Sequence, residues 1–200
     1  MTASPPSFRH ARAVLAAALL TAAFGAQALA ISGANLPDQV ALAGQPLQLN
    51  GAGVRYKAVF KVYAAGLYLP RKTSSAEEAA STQTAKRLTL VMLREIDSAE
   101  LGKMFARGME DNVDRVAASR VMPGVIRMSQ VFTDYKKLRE GQSIHMDWVP
   151  GVGTQLTING EKVGEPFREP EFFQALIRIW LGSKPADWKL KDALLGKPDS

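Results

Sequence analysis

The chain is 200 residues long, carries 25 Lys and Arg against 19 Asp and Glu for a formal charge of +6, and contains no cysteine. Without cysteine there is neither a disulfide nor a thiolate metal site, so stability rests on packing. The basic residues are scattered in runs no longer than two, which argues against a nucleic-acid partner and for ordinary surface lysines.

Residues 1–30 have the three-part layout of a cleavable signal peptide. Arg9 and Arg12 precede an Ala/Leu-rich run from Ala13 to about Ala23, and small residues end the segment at Ala28-Leu29-Ala30. The run is too short to cross a hydrocarbon core of about 30 Å as a helix, and no second run of about 20 apolar residues follows, so no transmembrane segment is expected after cleavage. Cleavage is expected after Ala30, with Ala28 as the alternative, releasing a single domain over residues 31–200 to the periplasm or the medium. Two arginines and one histidine leave with the leader, so the mature charge is +4 and His145 is the one remaining histidine. That leaves little material for a zinc site or a Ser-His-Asp triad, and neither metal nor cofactor is expected.

Leu36 to Leu69 alternates apolar residues with punctuation at Gly44-Gln45-Pro46 and Asn50-Gly51-Ala52-Gly53, which predicts a β meander. A regular strand from Val54 to Tyr63 would put Arg55 and Tyr63 on one face. Ser74 to about Thr82 reads as a short helix, and Arg87 to Leu93 as a strand buried on both faces. Asp97 and Glu100 stand at capping-box spacing before a helix running to about Ser119, with Leu101, Met104, Phe105, Met109, Val113 and Val116 as its core stripe. Pro123 suits the first turn of another helix, with Ile126, Val131, Phe132 and Tyr135 inward and an end near Gly141.

In Ser143 to Val149 the residues Ile144, Met146 and Trp148 share one face, which leaves His145 and Asp147 toward solvent. An Asn159-Gly160 hairpin follows. Pro170 opens a last long helix with Phe172, Phe173, Leu176, Ile177, Trp180 and Leu181 inward, and Asp187 to Leu195 closes the chain. Strands, helices, strands and helix in that order predict an α+β fold with helices layered on an antiparallel sheet.

The densest signal is Leu49 to Leu69. An arginine entering a sheet beside small and aromatic residues is a candidate anion clamp, because guanidinium offers a rigid fork to a carboxylate or phenolate. Periodicity by itself favours the alternative, a surface strand with Arg55, Lys57 and Lys61 all in water.

Gly51-Ala52-Gly53-Val54-Arg55, Val62 to Leu69, Ile179-Trp180-Leu181-Gly182 and Ala186 to Lys191 together resemble the chalcone isomerase and fatty-acid-binding-protein superfamily, over residues 37–195. The resemblance implies an open-faced β-sandwich: a curved antiparallel sheet covered by helices, with a ligand cleft between the layers. In the enzymatic branch an arginine holds a phenolate while polar partners stabilise an enolate. On this chain that arginine is Arg55, the strand threonine falls on Tyr63, the tyrosine on Met104, and the asparagine on Asp111 or, with a one-residue slip, Asn112. Ile179 and Trp180 replace a hydroxyl residue and its neighbour, so the set has become largely apolar.

The non-catalytic branch implies an arginine and a tyrosine holding a carboxylate at the end of an apolar tunnel, roles that fit Arg55 and Tyr63. Met104, Phe105, Ile179 and Trp180 are then lining or, equally, ordinary core. Three readings follow: a periplasmic binder of an apolar carboxylate or phenolic ligand such as a fatty acid, an isomerase acting on a chalcone-like enone with Arg55 and Tyr63 catalytic, or a structural envelope protein.

Overall fold

The computed structural model describes residues 28–197; the expected leader lies outside them except for Ala28, Leu29 and Ala30, which begin a short strand. That strand, β1 (Ala28–Ile31), pairs with β2 (Ala34–Pro37). Then come β3 (Gln39–Leu42), β4 (Gln45–Lys57), β5 (Phe60–Leu69), the single-turn α1 (Ala76–Ala80), β6 (Lys86–Met92) and the two-residue β7 (Ile96–Asp97). Two helices follow, α2 (Ser98–Glu110) and α3 (Arg115–Asp134), and β8 (Lys137–Leu138) pairs with β7. The chain ends with β9 (Ser143–Val149), β10 (Gly153–Ile158), β11 (Glu161–Phe167), α4 (Pro170–Leu181) and α5 (Trp188–Leu194).

Seven of these strands make one antiparallel sheet in the order β11-β10-β9-β6-β5-β4-β3. Its inner face carries every second residue: Tyr63, Ala65, Leu67 and Leu69 of β5, Leu88, Leu90 and Met92 of β6, and Ile144, Met146 and Trp148 of β9. These meet the apolar stripes of α2, α3 and α4, each large side chain contributing about 1.5–3 kcal/mol by leaving water. Phe105 of α2 sits edge-on to both Phe132 of α3 and Trp180 of α4, with ring centroids 5.4 Å apart in each pair. That arrangement sets where α2 stands over the sheet. Leu42, Leu47, Leu49 and Tyr68 form a smaller cluster on the outer face.

Local chemistry explains the helix starts. Asp97 accepts the N–H of Glu100 at 3.0 Å and Asp114 that of Ala117 at 2.8 Å, while Pro170 opens α4 where its missing N–H costs nothing. The Asn159-Gly160 turn has both residues at positive φ, 52° and 86°, as a two-residue hairpin requires.

Several expectations need correction. The helix read through to Ser119 ends at Glu110, where the Asn112 carboxamide ties the last turn of the helix, at the Gly108 carbonyl, to Lys184, and Asp114 caps a new helix. Pro123 does not start a helix but lies inside α3; it is exposed, as is Ser119, so the carbonyl deprived of its helical donor faces water. Val116 and Ile126, placed in core stripes, are 67% and 64% exposed in consequence of that different phase. Asp147 is buried rather than solvated, because the Arg87 guanidinium of the neighbouring strand grips it through two hydrogen bonds of 2.6 and 2.7 Å. Its neighbour His145 is half-buried against Thr89, with Nδ1 3.0 Å from the hydroxyl.

Asn50 to Gly53 is no turn either, but the middle of the continuous β4. A Cβ on Gly51 would collide with the backbone carbonyl of Ala193, and one on Gly53 would lie 2.9 Å from the Ala193 methyl. The glycines are the bed on which α5 lies, and the helix brings its N-cap, Asp187, beside Arg55.

Candidate functional site

Arg55 and Tyr63 stand directly opposite one another across the β4–β5 ladder. Opposed residues of an antiparallel pair share a face. The pairing predicted from alternation along one strand therefore arises differently: the chain reverses at Ala58, whose φ is 53°, and the two residues meet from neighbouring strands. A register shift between Arg55 and Tyr56 follows at once.

Tyr63 is 4% exposed, and its phenolic oxygen accepts the indole N–H of Trp180 at 2.9 Å. Burial pushes its pKa up to about 12; the Trp180 hydrogen bond and the nearby Arg55 charge oppose the rise without cancelling it. The phenol thus keeps its proton at neutral pH, and that proton has no acceptor among the described residues. It is a standing donor.

Arg55 makes one ion pair, Nη1 to Asp187 Oδ2 at 3.5 Å, with the two side chains 24% and 15% exposed. No other hydrogen bond from its five-donor fork is formed among the described residues, which leaves N–H groups for a ligand. Asp187 is held from several sides. Its Oδ2 also accepts the Tyr56 backbone N–H at 3.3 Å, and its Oδ1 accepts those of Lys189 and Leu190 at 3.0 and 3.2 Å as the N-cap of α5. Asp187 was not among the residues singled out from sequence for a role at the site. An aspartate before Trp188 to Leu194 is legible as a helix cap; its contact with a residue 132 positions earlier is not.

Arg55 and Tyr63 open onto a cavity of about 700 Å³ between β4, β5, α2 and the segment joining α4 to α5. Val62, Leu101, Phe105 and Ile179 give it an apolar wall, with Met104 partly exposed at 37%. Charges of both signs line its outer part, among them Lys57, Arg94, Glu100, Arg107 and Lys184. Of the other residues expected at a site, Met104, Phe105, Asp111 and Ile179 line this cavity. Asp111 does so from an exposed position, 3.8 Å from Arg107.

Two residues do not. Trp180 is fully buried behind Tyr63 and acts on the cavity only through the phenol. The Asn112 side chain donates to Gly108 and Lys184 carbonyls and accepts the Lys184 N–H, each at 2.9 Å, which makes it a latch between α2 and the α4–α5 segment. Among the described residues no group of three or more His, Asp or Glu is placed to hold a metal ion.

A family model described as chalcone isomerase-like matches residues 28–196. The chain belongs to the chalcone isomerase-like family. No curated protein matches it by sequence. Among solved structures, a fatty-acid binding protein from Arabidopsis thaliana superposes with a TM-score of 0.70 at 15% identity, covering 84% of this chain and 96% of that one. At such identity the likeness is one of fold: the curled antiparallel sheet with helices over it is the chalcone isomerase-like architecture.

Proposed function

We propose that this chalcone isomerase-like protein is a non-catalytic binder of an apolar carboxylate, such as a fatty acid, whose head group is held by Arg55 and Tyr63. The carrying observation is the pairing of two unspent donors, the free edge of the Arg55 guanidinium and the Tyr63 proton, at the polar end of an otherwise apolar wall. One carboxylate oxygen takes the guanidinium and the other the phenol. Both bonds are charge-assisted and lie where little water competes, so they orient the ligand. The acyl chain along Leu101, Met104, Phe105 and Ile179 supplies most of the affinity, and Met adapts to chains of different shape. A volume of about 700 Å³ is in the range of small-molecule sites.

The fatty-acid binding relative of the same fold supports this reading. So does the apolar character of Met104 and Ile179, at positions where the enzymatic branch is expected to carry polar partners. With the export signal read from residues 1–30, the protein works in the periplasm, among envelope lipids.

Mass spectrometry of an organic extract of the purified native protein tests the proposal. Co-purified acyl chains, and dodecanoate binding that falls at least tenfold in Arg55→Ala, are the expected results. Protein free of lipid that binds no acyl chain on titration overturns it.

A further inference from the structure

The turn between β4 and β5 stands beside the cavity mouth with its apolar side chains bare. Val59 is 82% exposed, the most exposed large apolar residue described, and Phe60 is 60% exposed. Tyr56 beside them is 41% exposed. Lys57 and Lys61 flank the tip on the same hairpin, and the Arg94 guanidinium carbon lies 5.3 Å from the centre of the Phe60 ring. Between Asp38 and Glu77 the chain has no other acidic residue. Of the carboxylates on the facing segment, Glu95 is engaged by Lys137 at 2.6 Å and Glu100 by Lys103 at 3.2 Å, while Asp97 caps α2.

An apolar pair bracketed by cations, with an aromatic alongside, is poorly suited to bulk water and well suited to the boundary of a bilayer. There the apolar side chains reach the acyl region while long cationic ones extend to phosphate. The patch is a few side chains wide, far below the roughly 800 Å² per partner of a stable protein interface. The cations select the sign of the surface.

We propose that the β4–β5 hairpin tip docks the protein on an anionic lipid bilayer, with Val59 and Phe60 inserted at the headgroup boundary and Lys57, Lys61 and Arg94 against lipid phosphates. Lys57 and Phe60 also line the cavity, so docking turns the mouth toward the membrane. On the binding reading above, an acyl ligand then passes between bilayer and cavity without crossing water. Docking itself does not depend on that reading.

The test is flotation of the protein with vesicles of phosphatidylcholine alone and of phosphatidylcholine mixed equally with phosphatidylglycerol. Binding to the anionic vesicles only, reduced by added salt and weakened about tenfold in each of Val59→Glu and Lys61→Glu, is expected. Neither residue lines the cavity, so dodecanoate titration of these variants in vesicle-free solution matches the unmodified protein and reports that they are folded. Absence of flotation with anionic vesicles overturns the proposal, as does flotation that Val59→Glu leaves unchanged. A concentration-dependent dimer abolished by Val59→Glu, without vesicle binding, overturns it in favour of a second copy of the chain. Vesicle binding without dodecanoate binding leaves docking standing and removes the ligand reading; the reverse result does the opposite.

Discussion

The Trp180 indole N–H donates to the Tyr63 phenol across 2.9 Å in a fully buried contact, which engages the phenolic oxygen as acceptor and leaves its own O–H available as a donor. Tyr63→Phe removes that donor and strands the indole N–H, so a loss of about 1–3 kcal/mol in urea unfolding is expected, together with a fall in carboxylate affinity of about tenfold. Trp180→Phe strands no donor and keeps the Tyr63 proton. Its effect on stability should exceed its effect on binding, and titration of both variants beside their unfolding curves measures the difference.

Asp187 pairs with Arg55 at 3.5 Å, so on the proposed binding reading it competes with the ligand carboxylate for the guanidinium. Asparagine caps a helix about as well as aspartate, so Asp187→Asn should leave α5 in place while removing the competing charge. Carboxylate affinity is expected to rise several-fold, measured by calorimetric titration. Asp187→Ala loses the cap as well, about 1 kcal/mol of stability.

Tyr63 and Tyr68 are both buried, and burial lifts both pKa values to about 12. In the unfolded chain they ionise near the ordinary value of 10, so between pH 10 and 12 the unfolded state loses protons that the folded state keeps. The stability these groups contribute is full below pH 10 and is lost as pH rises toward 12, roughly 3 kcal/mol for Tyr63. Urea midpoints across that interval should fall more gently in Tyr63→Phe.

His145 behaves oppositely. Burial, and then the Arg87 charge, hold its pKa below the ordinary 6.5, so the folded state resists protonation that the unfolded state accepts. Its contribution is present above pH 6.5 and is lost as pH falls below that value. Unfolding curves on the acid side should be flatter in His145→Gln, and a nuclear magnetic resonance titration of the ring gives the pKa directly.

Gly51→Ala places a methyl group on the Ala193 carbonyl. An overpacking loss of about 1–3 kcal/mol is expected. Because α5 must shift, Asp187 moves with it, and carboxylate affinity should change although Gly51 touches no ligand. Thermal unfolding with titration of the same sample checks both effects.

Much of this fold is legible along the chain. Short-range rules place the Asn159-Gly160 hairpin, Pro170 at a helix start, Asp97 as a cap and the period-two strands, because each depends on residues within a turn of one another. The same rules mislead between Glu110 and Pro123. There the decisive partner of Asn112 is Lys184, 72 residues away, and a helical pattern cannot record that a side chain is needed elsewhere. The outer face of the sheet misled for a similar reason: Asp147 looks solvated until Arg87, 60 residues earlier, is seen beside it.

By itself, then, the sequence determined the α+β class and most of the elements, since residue type and spacing carry that information locally; Arg55 and Tyr63 came to notice through the family resemblance, where periodicity favoured a surface strand. Only the tertiary structure decided how they are placed. It brought them together across a ladder, set Trp180 behind one and Asp187 beside the other, assigned Met104 and Ile179 to a cavity wall and Asn112 to a latch. The Trp180 and Asp187 contacts join segments more than a hundred residues apart and the Asn112 latch spans 72, where burial and hydrogen-bond satisfaction are properties of the assembled core.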